Sequence, residues 1–179
     1  MSIHMKGDMV DLQNSVLGIA DHNVQALTTI EVALISRAAI LAIADRHPAV
    51  GRAMWHDTLV DGSVQREWIA NVGRRDARTR LAHLLCEFAL RLESAGLGEA
   101  CDYELPMTQE QLADCTGVTS VHVNRTLKAL EEQGLITRTI RSVRIENWEN
   151  LTHAGDFNST YLHTDLKGRS TDPMVRPRL

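Results

Sequence analysis

The most regular pattern of apolar and polar residues lies over residues 108–145 and begins with a short amphipathic helix. Thr108 and Gln111 have the spacing of a capping box, in which each side chain satisfies a backbone N–H of the first helical turn. Gly117 supplies the backbone freedom that a tight turn requires, and Thr119 is positioned to cap a second helix. The pattern therefore predicts a helix-turn-helix.

The second helix carries its apolar residues at the i, i+4, i+7 spacing of a buried stripe, namely Val123, Leu127 and Leu130. Gly134 follows at a position where a glycine commonly ends a helix. Leu135-Ile136 then begin the first of two β-branched runs, which we expect to be joined at Arg141-Ser142. A helix-turn-helix followed by such a hairpin, or wing, can place its second helix in a DNA major groove.

The outer face of that second helix, opposite the apolar stripe, is polar and free of acidic residues over 119–130. Arginine can donate two hydrogen bonds to guanine, and asparagine can pair with adenine through both ends of its amide. The candidate base contacts are Ser120, Val121, Asn124 and Arg125, with Arg125 foremost. The candidate phosphate contacts are Thr119, His122, Lys128, Arg141 and Arg144. The alternative is that these cations form an ordinary solvated face.

Upstream, the sequence predicts a short helix over 36–46, a long helix from Pro48 to about Val72, and a core helix over 75–93. The long helix has an interrupted apolar stripe that needs a partner, which packing within the same chain could provide. The residues of that stripe are Val50, Met54, Val60, Val64, Trp68 and Val72. A short strand is expected at Tyr103–Leu105, and Asn147–Leu151 form a turn that packs Trp148 on the core.

Residues 1–36 have the character of the end of a β-rich domain. Val24–Leu27 and Val32–Ile35 are short strand-like runs separated by polar residues. About 36 residues cannot close a β-barrel, so exposed edges and apolar faces should remain. Either the true start lies upstream of Met1 or the chain is a shortened form, and the sequence leaves both open.

Composition changes this picture only in detail. The net charge of −4 is not that of a non-specific nucleic-acid binder, but the basic residues cluster locally, in the second helix and the wing. The sequence contains no apolar run long enough to span a membrane and no signal peptide, which predicts a cytoplasmic protein without a membrane partner.

Motifs for other chemistry are missing. The three cysteines, Cys86, Cys101 and Cys115, are widely spaced without a C-x-x-C, so we expect neither a disulfide nor a metal site. The eight histidines show no H-E-x-x-H spacing. A G-x-S-x-G motif, a P-loop and a dinucleotide fingerprint are also absent, which predicts a protein that is not an enzyme.

Three segments together resemble the Crp/Fnr superfamily of bacterial transcription factors. They are LTTIEVALISR at 27–37, DARTRLAHLL at 76–85 and LADCTGVTSVHVNRTLKALEEQGLI at 112–136. The resemblance covers most of residues 7–150. It implies a mostly α, α+β fold: the remnant of a cyclic-nucleotide-binding-type β-barrel, a long dimerisation helix and a winged helix-turn-helix.

On this resemblance the chain divides into a partial sensor barrel over 1–46, a dimerisation helix over 47–73 and a DNA-binding domain over 74–151. A mobile tail is expected over 152–179. The stripe of the long helix would then face the same helix of a second subunit. The resemblance implies a homodimer that binds a pseudo-palindromic site in double-stranded DNA near promoters, with RNA polymerase as a further partner.

The chain also departs from the family. Arg125 matches the family's recognition helix, but Ser120 and Val121 stand where well-known members carry a charged base reader, so their operator cannot be transferred. Gly7-Asp8 resembles the first half of the family's cyclic-nucleotide pocket. Asp21-His22 lie where an arginine would be needed, so we expect no cyclic nucleotide. No cysteine precedes Cys86, so no iron–sulfur cluster or other cofactor is implied.

The function predicted from the sequence is that of a sequence-specific, homodimeric, DNA-binding transcriptional regulator. One alternative is a sensor-deficient dimerisation module that modulates a full-length relative without binding DNA itself. A second alternative is a sensor for a non-nucleotide effector.

Overall fold

The computed structural model of the chain describes residues 2–164. In chain order the elements are α1 (Asn14–Leu17), α2 (Arg37–Arg46), α3 (Pro48–Arg74), α4 (Ala77–Ser94), β1 (Asp102–Glu104), α5 (Gln109–Thr116), α6 (Ser120–Glu132), β2 (Ile136–Arg138), β3 (Ser142–Ile145), α7 (Trp148–Ala154) and a 3-10 helix (Ser159–Leu162). The strands form one antiparallel sheet in the order β1-β3-β2. The predicted α+β, mostly helical class is confirmed.

The helix boundaries follow from local chemistry. Ser36 and Asp76 cap α2 and α4, since each side chain accepts a hydrogen bond from a backbone N–H three residues on. A single residue, His47, separates α2 from α3, because Pro48 disfavours a helical conformation before it and suits the first turn of the next helix. The long helix predicted from Pro48 to Val72 is confirmed and extends to Arg74.

Helix α4 forms the centre of the core. It packs against α3, α5, α6, α7 and β1. Its residues without solvent exposure include Leu81, Ala82, Leu84, Leu85, Cys86 and Ala89. A helix buried on nearly every face is one that neighbours surround, so α4 is the scaffold on which the smaller helices and the sheet are held.

The wing is an antiparallel hairpin of β2 and β3, in which Thr137 pairs with Arg144 and Arg138 pairs with Val143. Its turn lies earlier than the predicted Arg141-Ser142. Ser142 already belongs to β3, and its backbone N–H donates to the hydroxyl of Thr139 at 3.1 Å. The threonine hydroxyl thus closes the turn before the second β-branched run begins.

The predicted strands at Val24–Leu27 and Val32–Ile35 are wrong: both runs are irregular. A strand is stabilised by hydrogen bonds to a neighbouring strand, and none of the described residues pairs with these runs. Their side chains remain largely exposed, Leu34 to 96%.

In the described part of the tail predicted over 152–179, residues 152–154 belong to α7 and residues 155–164 pack on the core. Gly155 lies directly on the backbone of α4, where an added Cβ would lie 2.7 Å from the backbone nitrogen of His83. Leu162, in the 3-10 helix, is buried in the core. The aromatic residues of this segment contact α4. We call residues 155–164 the C-terminal strap; their weak helical periodicity does not indicate that they pack on the core. Residues 165–179 of the predicted tail lie outside the described residues.

Candidate nucleic-acid interface

Helix α5 and the turn after it hold α6 in place. The capping box predicted at Thr108 is confirmed: its backbone N–H donates to Gln111 Oε1 at 2.8 Å, and Gln111 N donates to its hydroxyl at 3.2 Å. Gly117 has a φ of 65°, the left-handed conformation that the turn requires. Arg80 of α4 donates to the carbonyl of Thr116 at 2.9 Å, which ties the turn to the core helix.

The predicted apolar stripe seats α6 on the core. Val123, Leu127 and Leu130 are exposed by 1%, 3% and 0%, and the buried Thr126 joins them. Val121 points the other way and is 78% exposed. The helix therefore buries one face completely and presents the opposite face to solvent.

The exposed face of α6 carries the predicted base-contact residues. Asn124 and Arg125 are exposed, and Ser120 is half-buried at the first turn. Arg125 Nη2 lies 3.1 Å from His122 Nδ1, which can accept a hydrogen bond from the guanidinium. The hydroxyl of Thr119 caps the helix by accepting from His122 N at 3.2 Å, so its own hydrogen is still able to donate to a phosphate.

Arg138, at the end of β2, joins the wing to α6. Its Nη2 donates to Asn124 Oδ1 at 3.1 Å, and its Nε donates to Glu131 Oε2 at 2.9 Å. Arg138 is one of the basic residues of the wing, and the sequence pattern alone assigns it no role. The pairing depends on the hairpin register, and a sequence pattern does not specify the register closely enough to reveal it.

The cations proposed to hold phosphates differ in their surroundings. Arg144 Nη2 lies 2.6 Å from Asp102 Oδ2 on β1, and hydrogen bonding to that carboxylate raises the pKa of Arg144. Lys128 lies 3.7 Å from the carboxylate of Glu132, and both side chains are well exposed. Within the part of the chain that the structure describes, Arg141 has no carboxylate within 4 Å.

Two of the residues assigned to the dimer interface lie elsewhere. Val64 and Trp68 are each only 3% exposed and pack in the core of their own subunit, where the Trp68 indole donates to Glu87 Oε1 at 3.2 Å. The apolar residues that α3 presents to solvent are Trp55, Leu59 and Ile69, exposed by 68%, 58% and 74%. Of the other assigned residues, Val50, Met54 and Val60 are partly exposed, and Val72 is exposed by 40%.

A buried polar cluster joins α3, α4 and the C-terminal strap. Glu87 Oε2 accepts from the Tyr161 hydroxyl at 2.7 Å, and that hydroxyl lies 3.0 Å from His83 Nε2. The other imidazole nitrogen of His83 lies 3.2 Å from the carbonyl of Gly155. Burial, together with the nearby charge of Arg75, lowers the pKa of His83. Sequence spacing gave no sign of this cluster, because the residues that it joins lie up to 78 positions apart, from His83 to Tyr161.

Other chemistry finds little support in the described residues. Cys86 and Cys115 are buried, and burial raises the pKa of each thiol to about 12, so neither is a thiolate at neutral pH. Residues 2–164 contain no group of three His, Cys, Asp or Glu side chains placed to hold a metal ion. Among the helices that the structure describes, none is both long and apolar enough to span a bilayer.

Comparison with known proteins agrees with this geometry. Residues 79–154 match the family described as the Crp-like helix-turn-helix domain. The transcriptional activator protein FnrL of Cereibacter sphaeroides is 31% identical over 118 residues, which are 64% of this chain and 48% of FnrL. The nitrogen fixation regulation protein FixK of Azorhizobium caulinodans is 27% identical over 113 residues, or 63% of this chain and 46% of FixK.

A solved structure extends the likeness to three dimensions. FixK2 from Bradyrhizobium japonicum superposes with a TM-score of 0.61 at 26% identity, covering 67% of this chain and 59% of FixK2. The chain spans about half the length of the curated relatives it matches. Those relatives are named as transcriptional regulators and not as enzymes, in agreement with the sequence prediction.

Proposed function

We propose that this chain is a DNA-binding transcriptional regulator of the Crp/Fnr superfamily; the match of residues 79–154 to the Crp-like helix-turn-helix domain supports the proposal. The observation that carries the proposal is the outer face of α6, which is exposed, polar and without a carboxylate over 119–130. Its opposite face is fixed to α4 through a buried stripe. A rigid helix with such a face can enter a major groove without repelling phosphates.

On this proposal Arg125 makes the main base contact. Its guanidinium is exposed and makes a hydrogen bond with the neighbouring His122. It can therefore turn toward a guanine edge. Asn124 and Ser120 are further polar readers, and Val121 can pack only on a thymine methyl.

Phosphate contacts position the protein on the duplex. Thr119 and His122 lie at the N-terminus of α6, where the backbone N–H groups and the helix dipole favour an anion. Lys128 lies further along the helix and Arg141 lies in the turn of the wing. Arg144 is the weakest candidate, because a phosphate would have to displace Asp102 from its guanidinium.

We also propose that two copies join through the exposed face of α3. Trp55, Leu59 and Ile69 fall on the 4- and 3-residue steps of a heptad seam, with Gly62 and Arg66 at the intervening steps. This seam replaces Val64 and Trp68, which are buried within the subunit. Two identical subunits related by a two-fold axis would bind a site with two inverted half-sites.

Further features of the proposal follow the family. We propose a division into a partial sensor over residues 1–46, a dimerisation helix over 47–73 and a DNA-binding domain over 74–151. Contacts with RNA polymerase and a cytoplasmic location are proposed on the same ground. No cyclic nucleotide is expected, because Asp21 and His22 stand where a phosphate would need an arginine.

The exposed seam of α3 favours one alternative, a dimerisation module that modulates a full-length relative without binding DNA itself. Gel-shift titration of the pure chain, at several salt concentrations and against a random-sequence duplex pool, separates the two functions. Binding by the chain alone supports the regulator. Dimerisation without any shift of the DNA would contradict it and favour the module.

Sedimentation velocity of Leu59→Glu tests the seam in the same preparation. Because Leu59 is exposed, the change should leave the subunit folded and shift the protein toward monomer. Leu97→Glu, at an exposed apolar position between α4 and β1, is the matched control. Equal dimerisation of both variants and the native chain would place the interface elsewhere.

A further inference from the structure

The geometry points to Arg138 as a positioning residue that sets which base Asn124 reads, making guanine and not adenine its preferred base. This inference rests on the proposed function, since it concerns the same surface. Its foundation is a chain of three side chains, in which Glu131 holds Arg138 and Arg138 holds Asn124.

The contact with Arg138 sets the orientation of the Asn124 amide. A guanidinium carries hydrogen-bond donors and no acceptor, so the amide atom that faces Arg138 is the oxygen. The Nη2–Oδ1 distance of 3.1 Å makes this a hydrogen bond. The amide nitrogen, a donor, is therefore the end left to meet DNA.

Arg138 is itself held in place by Glu131. Its Nε donates to Glu131 Oε2 at 2.9 Å, and the two side chains are only 22% and 30% exposed. Charge-assisted bonds in such surroundings are stronger than neutral ones. Arg138 is thus anchored from behind on the last turn of α6, and it offers its remaining N–H groups beside Asn124.

The donors that Asn124 and Arg138 present determine which base fits this point of the surface. Asn124 and Arg138 together present donors at this point of the surface. Guanine presents two acceptors in the major groove, N7 and O6, whereas adenine and cytosine each present an amino donor. Reading adenine through both ends of the amide would have to use the second lone pair of an oxygen that already accepts from Arg138, beside a guanidinium that carries only donors. An amide oriented in this way favours guanine.

The experiment measures base preference and not overall affinity. The full chain is first used to select its preferred duplex from a random pool. The base pair read by Asn124 is identified as the one whose preference is lost in Asn124→Ala. Four duplexes that differ only at that pair are then titrated with the native chain and with Arg138→Met.

We expect the native chain to prefer guanine and Arg138→Met to lose that preference by roughly tenfold and to gain relative affinity for adenine. Arg138→Lys, which keeps the charge but cannot hold Glu131 and Asn124 with one planar group, should shift in the same direction. It also protects the test if Arg138→Met fails to fold. Arg141→Met, a loss of charge in the same wing, should weaken all four duplexes alike.

The outcomes separate this inference from the proposed function. Selective binding with an unchanged base profile in both Arg138 variants, or a native preference for adenine, overturns the inference and leaves the regulator standing. Failure of the native chain to select any sequence overturns the proposed function and this inference with it.

Discussion

Helix α4 and the outer face of α3 both carry large apolar side chains, but they lie in opposite surroundings. Leu81, Leu84 and Leu85 of α4 have no solvent exposure, whereas Trp55 and Ile69 of α3 are exposed by 68% and 74%. The neighbours that bury α4 belong to the same chain, whereas the described residues leave Trp55, Leu59 and Ile69 of the α3 seam largely exposed. An apolar stripe therefore predicts burial, but it does not tell whether the covering surface lies within the subunit.

The largest effect that sharpens this comparison is expected from a pair of leucines. Leu85→Ala removes a fully buried side chain and should lower the free energy of unfolding by about 2–5 kcal/mol. Leu34→Ala, at a residue that is 96% exposed, should change it by less than about 0.5 kcal/mol. Urea unfolding followed by circular dichroism, at one protein concentration, gives both values.

Equal losses in the two variants would mean that the irregular segment around Leu34 is buried in solution. Such a result would remove the contrast between the packed core and the exposed segment around Leu34.

The next effect concerns the surface that α4 supports. Arg125→Ala should weaken binding to the selected duplex by about 1–3 kcal/mol and relax the preference at one base pair. Competition titrations with specific and random duplexes measure both quantities. Arg52→Ala, an equal loss of charge on the exposed surface of α3, is the control. An unchanged ratio of specific to random binding would remove Arg125 from base recognition.

A comparable effect on stability is expected in the buried polar cluster. Tyr161→Phe keeps the ring stacked on His83 but leaves Glu87 Oε2 without its 2.7 Å hydrogen bond. A buried acceptor left without its hydrogen-bond partner costs about 1–3 kcal/mol. Thermal unfolding of the variant measures the loss. Native stability in this variant would show that the C-terminal strap does not hold α3 and α4 together.

The pH dependence of stability gives a smaller effect with a defined sign. Because the pKa of His83 is lowered in the folded protein, the folded state takes up this proton at a lower pH than the unfolded chain, in which histidine titrates at about pH 6.5. The unfolded state then binds more protons, so the free energy of unfolding should fall as the pH drops below about 6.5.

Urea unfolding at a series of pH values between about 7.5 and 5 checks this trend against the ordinary histidine pKa. His83→Gln should flatten it, and the difference between the two curves removes the contributions of other histidines. One of these is His22, whose pKa is raised because its imidazole donates a hydrogen bond to the Asp21 carboxylate, giving the opposite sign. Parallel curves for the native chain and the variant would contradict the assignment.

The smallest expected effect separates two arginines of the wing. Arg141→Ala should weaken binding to all sequences alike and flatten the dependence of log affinity on log salt by about one unit. Arg144→Ala should change that slope less, since Asp102 already neutralises its guanidinium. Salt-titrated binding measures both slopes. A larger change for Arg144 would show that Asp102 releases it on DNA.

The local rules predicted the helix-turn-helix well. The capping box at Thr108, the turn at Gly117 and the buried stripe from Val123 to Leu130 all depend on residues within a few positions of one another. Short-range spacing is what a sequence displays most directly, and here local propensity and burial agree.

The rest depended on contacts between distant residues. Val64 and Trp68 share a helix with the exposed seam, and only the position of α4 reveals that they point inward. The strap after Gly155 has little periodicity, but its aromatic side chains fit against His83. The Arg138–Asn124 pair arises from the hairpin register. In each case the deciding partner lies outside the local pattern.

The most direct test of the central claim, that α6 reads DNA as part of a two-fold pair, is sequencing of the duplexes selected by the pure chain from a random pool. We expect a motif of two inverted half-sites, in which replacing Arg125 by alanine removes the base preference at one position of each half-site. Enrichment of no motif, or of a single half-site that Arg125→Ala leaves unchanged, would contradict it.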